Sequence, residues 1–311
     1  MSHNEPTGID IYRELEPEAE KQLNRHLKTA SAWHPHDYIP YDEGKNYAAL
    51  GGEDWSPEQS KLSSLAKAAM ILNLLTEDNL PSYHREISDN LGRDGAWGEW
   101  LNQWTAEENR HSIVMRDYLV VTRGVDPVAL ENSRMAHMKN GYDSGGRDGL
   151  HTLSYVTFQE LATRVSHRNT GIATGDPVAD RMLQRIAKDE NLHMIFYRNM
   201  GAAALNIAPN QTMRAITDEI KNFEMPGSDM DGFGRMGALI AKGNIYDPAS
   251  HLNDVVKPVL KIWKTAEITG LNDDGAKAQD ELYGDVLPKL ETVSERFLAN
   301  QARIAERKKQ D

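Results

Sequence analysis

Two pairs of the form Glu-x-x-His, Glu108–His111 and Glu190–His193, sit on long stripes of apolar residues. Each is preceded by a lone glutamate, Glu77 or Glu160, standing 31 and 30 residues earlier on a stripe of its own. With eleven histidines in an acidic chain, about one such pair arises by accident. Two in matched context constrain the fold strongly. Met70 and Leu74 lead to Glu77; Trp97, Trp100 and Trp104 lead through Glu108 and His111 to Met115 and Leu119. Leu153 and Val156 lead to Glu160, and Leu183 and Ile186 lead through Glu190 and His193 to Phe196 and Tyr197. Residues three and four apart share one face of a helix, so all six polar side chains point where the core should be. An ionised carboxylate there is costly unless it is paired or bound to metal. A spacing of about 30 residues fits a helix, a turn and an antiparallel return, so the unit occurs twice and predicts a bundle of four helices whose six groups meet midway. Four carboxylates against two divalent cations leave a neutral interior. The competing reading is four glutamates satisfied by Lys or Arg, or lying off the core face.

The remaining chain agrees with an all-α architecture. Alternating runs of β-branched and aromatic residues are nearly missing, while apolar residues recur at three and four. Ser56-Pro57-Glu58-Gln59 predicts the capped start of the Glu77 helix, which runs through Leu62 and Leu65 until Pro81 interrupts it. Further starts are expected near Asp94 and at Asp176-Pro177, a stop near Gly124, and a loop over residues 140–149. Before residue 55, Ile11, Leu15, Leu23 and Leu27 mark one amphipathic helix, followed by WHPHDYIPYD, whose His34 and His36 are expected on a surface loop. No linker demands a boundary, so one domain over 1–311 is expected, with loose ends at 1–10 and about 300–311. The chain has no cysteine, which excludes disulfides, thiolate-held clusters and cysteine nucleophiles and leaves oxygen and nitrogen donors suited to iron or manganese. A net charge of −12 argues against non-specific nucleic-acid binding and attraction to anionic lipid. With no signal-like N-terminus and no stretch long enough to span a bilayer, a cytoplasmic location is expected.

The six-residue set is the one known from ferritin-like di-iron and di-manganese carboxylate proteins. Around it the chain resembles the soluble acyl-[acyl-carrier-protein] desaturases of plants and bacteria. TAEENRHS at 105–112 and DENLHM at 189–194 are similar to that family's EENRHG and DEKRHE motifs. TEDNLPSY at 76–83, FQELAT at 158–163, WHPHDYIP near 33–40 and ITGLNDDGAKAQDEL at 268–282 resemble its other segments, so the likeness covers about residues 12 to 290. The resemblance implies a ferritin-like four-helix bundle with additional helices, usually homodimeric, and two iron ions held by Glu77, Glu108, His111, Glu160, Glu190 and His193, with manganese a possible substitute. It implies that a cis double bond is introduced into a saturated acyl chain on acyl carrier protein, using O₂ and two electrons from ferredoxin. Thr163 matches the threonine beside the oxygen-binding face. Asp189 matches the carboxylate that orients a ligand histidine, here His111, and Trp33 the tryptophan on the electron route through it. Plain alternatives are a Thr163 hydroxyl bonded to its own helix and a Trp33 that packs the core.

The chain departs from the family pattern at Asn191, Leu192 and Met194, where the motif has Lys, Arg and Glu, and at Ser112, where it has Gly. An acidic carrier protein needs a basic patch, for which Arg164, His167, Arg168, Arg181 and Arg185 are candidates. Three other readings stay open: a related di-iron hydroxylase or oxygenase, a ferritin-like iron store, and a non-catalytic metal- or acyl-carrier-protein-binding relative.

Overall fold

A computed structural model describes residues 5–225 and 232–307. Among these residues no strand forms, and none of the helices is long and apolar enough to cross a membrane. The frame of the site is four helices: α2 (Ser64–Asp78), α4 (Gly95–Val121), α6 (Gly149–Thr174) and α7 (Pro177–Ile207). The last two form an antiparallel pair because three residues force a tight reversal. Gly175 takes the left-handed conformation (φ +66°) that ends α6, Asp176 accepts from the Val178 amide, and Pro177 stands at the first position of α7.

α1 (Ile9–Thr29) lies against α4 and α7, with Ile11, Leu15 and Leu23 buried. Leu27, expected on that inner face, is 52% exposed, because the buried stripe steps from Leu23 three residues on to His26 and leaves Leu27 beside it, facing out. The Ser56 cap is real but caps only a 3₁₀ turn, Pro57–Gln59, in which the Ser56 amide donates to Gln59 Oε1 at 3.2 Å. The Glu77 helix starts later, where Ser63 accepts from the Ala66 amide at 3.1 Å. Pro81 does end it: α2 stops at Asp78, and α3 (Leu80–Leu91) restarts with the proline near its N-terminus, where no amide is needed. The stretch between α4 and the 141–148 loop forms α5 (Pro127–Asn140), capped by Asp126.

Beyond residue 207 the chain covers the α6–α7 side of the bundle. α8 (Pro209–Lys221) packs on α6 and α7, and α9 (Phe233–Lys242) lies across α2. A short α10 (Pro248–Ser250) runs through a π-helical turn, His251–Val256, into α11 (Lys257–Trp263). α12 (Asp273–Glu281) continues through a second π turn, Leu282–Val286, into α13 (Leu287–Arg307). Helix therefore reaches into both of the stretches expected as loose ends, from Ile9 and as far as Arg307.

Candidate metal centre

The four bundle helices bring all six sequence-predicted ligands into one buried cluster: Glu77 from α2, Glu108 and His111 from α4, Glu160 from α6, Glu190 and His193 from α7. None is more than 6% exposed. They form two overlapping groups able to hold a cation. Glu77, Glu108, His111 and Glu190 make one; Glu108, Glu160, Glu190 and His193 make the other; in each, one donor atom per residue lies within 4.8 Å of the rest. Glu108 and Glu190 belong to both. His111 Nδ1 is 3.1 Å from Glu108 Oε2 and 3.3 Å from Glu190 Oε1. His193 Nδ1 is 2.7 Å from Glu108 Oε1 and 3.6 Å from Glu160 Oε2.

Among the described residues every ion-pair partner of these four glutamates is a histidine, so the reading in which Lys or Arg satisfies them does not hold. The electrostatics are those of a cluster short of positive charge. Burial, then the charges of Glu190 and Glu108, pushes the Glu160 carboxyl far above its ordinary range; burial and Glu190 raise Glu108 as well. Glu77 is held well below, because its hydrogen bond with His167 and the nearby His111 imidazole together outweigh its burial. Four buried atoms of the cluster have no hydrogen-bond partner: Glu108 Oε1, Glu160 Oε2, Glu190 Oε1 and His193 Nδ1. Buried polar atoms are rarely left so. Orphaned oxygens facing an orphaned imidazole nitrogen are what a cation-binding cage presents, and the all-oxygen-and-nitrogen donor set fits iron or manganese.

Residues around the cluster fix the imidazoles from behind. Asp189 Oδ2 lies 3.5 Å from His111 Nε2, accepts from Trp33 Nε1 at 2.7 Å, and its other oxygen is held by Arg185. Trp33 stacks on His111 with centroids 6.4 Å apart, so it touches the histidine as well as the aspartate. The Thr163 Oγ1 lies 2.8 Å from Glu190 Oε2 and 3.0 Å from the Glu160 carbonyl oxygen of its own helix. Trp104 Nε1 donates to Glu160 Oε1 at 2.8 Å.

Sequence reasoning missed the counterpart of Asp189. Glu107 Oε2 is 2.8 Å from His193 Nε2 and 2.9 Å from His26 Nε2, and Gln103 donates to its other oxygen at 2.6 Å. The signal was present, since an acid precedes each Glu-x-x-His glutamate: Glu107 before Glu108, Asp189 before Glu190. His26 could have been found as a histidine on the buried face of α1. His167, read as part of a docking patch, is buried instead, its Nε2 2.8 Å from Glu77 Oε1 and its Nδ1 3.3 Å from Asn73. It stands two turns after Glu160 on the same face of α6, which puts it inside. Arg185 likewise turns inward, Arg168 pairs with Asp180, and Arg164 and Arg181 stay exposed. His34 and His36 are exposed and stack on each other.

Two clefts flank the cluster and share Thr76 and Glu77. One is lined by Leu80, Ile87, Trp104 and Val156 and reaches Glu108 and Glu160. The other is lined by Thr163, Met225, Phe233 and Ile240.

A family model described as fatty acid desaturase matches residues 7–311. The chain belongs to the fatty acid desaturase family. It is 52% identical to the protein named acyl-[acyl-carrier-protein] desaturase DesA1 of Mycobacterium tuberculosis, over 97% of this chain and 91% of that one. It is 30% identical to stearoyl-[acyl-carrier-protein] 9-desaturase 1, chloroplastic, of Oryza sativa, over 90% of this chain and 78% of that one. The X-ray structure of acyl-ACP desaturase DesA2 from Mycobacterium tuberculosis superposes with a TM-score of 0.71 at 31% identity, covering 87% of this chain and 99% of that one. Met194 is buried in the apolar cluster that also holds Phe158, Leu161 and Trp263, and it borders a cleft lined by Arg164, Arg168 and Arg198.

Proposed function

We propose that this chain introduces a cis double bond into a saturated acyl chain carried on acyl carrier protein, at a di-iron centre held by Glu77, Glu108, His111, Glu160, Glu190 and His193, with electrons from ferredoxin. The observation that carries the reading is the pair of overlapping four-residue groups, sharing Glu108 and Glu190, beside a cleft with apolar walls. When bound, two iron ions supply, from O₂ and two electrons, an oxidising power that no amino-acid side chain possesses. The protein's part is positioning and exclusion. Glu108 and Glu190, common to both groups, would help to hold both ions, with Glu77 and His111 completing one group and Glu160 and His193 the other. Asp189 and Glu107 engage the Nε2 atoms of His111 and His193, which keeps each ring in one orientation and leaves Nδ1 for the metal. Thr163 donates to Glu190 and holds that carboxylate in place. Leu80, Ile87 and Val156 keep the reacting methylenes dry and still beside the cluster. Trp33, bonded to Asp189 and stacked on His111, offers an aromatic path outward for the electron. The protein would work as a homodimer in the cytoplasm, and manganese could replace iron in the cage.

The test is mass spectrometry of the acyl chains after incubating the iron-loaded protein with saturated acyl-acyl carrier protein, ferredoxin, its reductase and O₂. A product lighter by two hydrogens supports the reading. A product heavier by one oxygen makes the protein a hydroxylase, and no product at any chain length, with full iron loading, makes it non-catalytic.

A further inference from the structure

On the His193 side the six-residue cluster has an aromatic neighbourhood that neither the ligand set nor the two clefts use. Trp100 of α4 stands edge-on to the His193 ring, with centroids 6.0 Å apart. It stacks flat on Phe196 at 3.6 Å, and Phe196 stands edge-on to Trp97 at 6.4 Å. Trp97 Nε1 donates to the Tyr12 carbonyl at 3.1 Å, and the half-buried Tyr12 side chain packs against the same apolar cluster. Indole, phenyl, indole and phenol thus follow one another from an imidazole of the metal cage to the rim of the bundle at α1.

Packing alone does not ask for an indole at position 100. Trp100 is 1% exposed, and its ring nitrogen lies toward the Tyr197 hydroxyl without reaching hydrogen-bond geometry. Buried indoles usually find a partner, and an unmet N–H is costly, so a plain ring would fill the place at less expense. What the indole adds is an electron that is easily removed. The other two indoles beside the cluster are worse placed to take a positive charge and pass it on. Trp33 has the guanidinium carbons of Arg110 and Arg185 only 5.0 and 5.7 Å from its ring, and cations at that range repel a developing positive charge. Trp104 donates to Glu160 but pairs with no other ring among the described residues, so a charge there has no onward route. Among the same residues no cation stacks on Trp97 or Trp100.

We propose that Trp100, Trp97 and Tyr12 form a discharge path that returns the oxidised metal cluster to rest when no acyl chain is bound beside it. This rests on the desaturase reading above. With substrate present, the oxidising equivalents are consumed in breaking two C–H bonds. Without it, the two electrons from ferredoxin leave the reduction of O₂ to water two electrons short. Trp100 supplies them one at a time: its indole loses an electron to the cluster and is refilled from Trp97, which is refilled from Tyr12. Tyr12 gives up its electron together with its hydroxyl proton, which passes to water, and regains a hydrogen atom from a dissolved thiol. Two passages turn two thiols into one disulfide, so that O₂, two ferredoxin electrons, two protons and two thiols yield two waters and a disulfide.

The experiment mixes the iron-loaded, chemically reduced full chain with O₂, in the absence of acyl-acyl carrier protein and thiol, and freezes samples at intervals for electron paramagnetic resonance. An organic radical appears whose signal narrows when the protein is grown on ring-deuterated tryptophan. Saturated acyl-acyl carrier protein, bound before O₂ is added, suppresses it, and a thiol shortens its life. Trp100→Phe loses the tryptophan signal, Trp97→Phe keeps it and prolongs it, and Trp33→Phe retains it. The labelled wild type tests the path even where Trp100→Phe fails to fold. A wild type that desaturates acyl chains but gives no tryptophan signal without them overturns the path alone. So does a signal unaltered in folded Trp100→Phe, or one lost in folded Trp33→Phe. A wild type that takes up iron but neither reacts with O₂ nor desaturates any chain defeats the desaturase reading, and the path with it.

Discussion

At the scale of single residues, the chemistry of this protein depends on what stands behind the ligands as much as on the ligands. Asp189 and Glu107 occupy equivalent places around the two Glu-x-x-His units, each backing one imidazole and each tied to one aromatic group of the N-terminal segment, Trp33 or His26. Asp189→Asn and Glu107→Gln keep the shape but lose the charge that orients the ring. Each should weaken metal affinity roughly 10–100-fold, measured by competition with a chelator, without altering helix content. An effect at Asp189 alone would mean that Glu107 is only packing. A different histidine governs acid stability. His251 is stacked on Phe223 at 4.6 Å, its Nδ1 is 2.7 Å from the Tyr246 hydroxyl, and burial pushes its imidazole down to about 4. An unfolded histidine titrates near 6.5, so folding favours the neutral ring. Its contribution is fully present above about pH 6.5 and is lost as pH falls toward 4, a loss on the order of 3 kcal/mol. Denaturant midpoints of His251→Gln should therefore fall less between pH 7 and pH 4.5 than those of the wild type; equal falls would contradict this.

At the scale of elements, the long helices were legible because each carries its own punctuation. Asp176-Pro177 and the reversal before it, the interruption at Pro81 and the start after Asp94 are local signals, and the structure places α7, α3 and α4 there. What stayed hidden depended on partners far away in sequence. Leu27 repeats with Leu15 and Leu23, but nothing local says that His26 rather than Leu27 continues the buried stripe, until Glu107 is placed opposite it. His167 reads as one more basic residue until α2 is placed opposite it, and then Glu77 and Asn73 claim it. The polar set was legible as a set, since six residues in matched register constrain one another, whereas Glu107 belonged to a doublet whose second member drew the attention. Helix contacts also make a sharp prediction at Gly201. There α11 crosses α7 so closely that a Cβ would stand 2.5 Å from the Trp263 ring, whose Nε1 donates to the Arg198 carbonyl at 2.7 Å. Gly201→Ala should lower stability by about 1–3 kcal/mol and alter Trp263 fluorescence, while leaving metal stoichiometry unchanged in the protein that folds.

At the scale of the whole molecule, the bundle places four carboxylates in a buried interior where no lysine or arginine among the described residues neutralises them, so folding and metal binding are coupled. Metal removal by a chelator should lower the melting temperature by several degrees, since a ligand at a hundred times its dissociation constant adds about 2.7 kcal/mol. Replacing Glu108 by Gln, which spoils a carboxylate common to both groups, should abolish most of that difference. The surrounding layers serve the same end: α1 backs His193 through His26 and Glu107, α9 covers the Thr163 side, and the α3–α6 cleft reaches Glu108 and Glu160. The most direct test of the account is elemental analysis of the purified full-length protein after anaerobic loading with iron(II). Two ions per chain, falling to fewer than one in Glu108→Gln, is the outcome this arrangement requires. A correctly folded wild type that takes up no transition metal, from iron(II) or manganese(II), would contradict it.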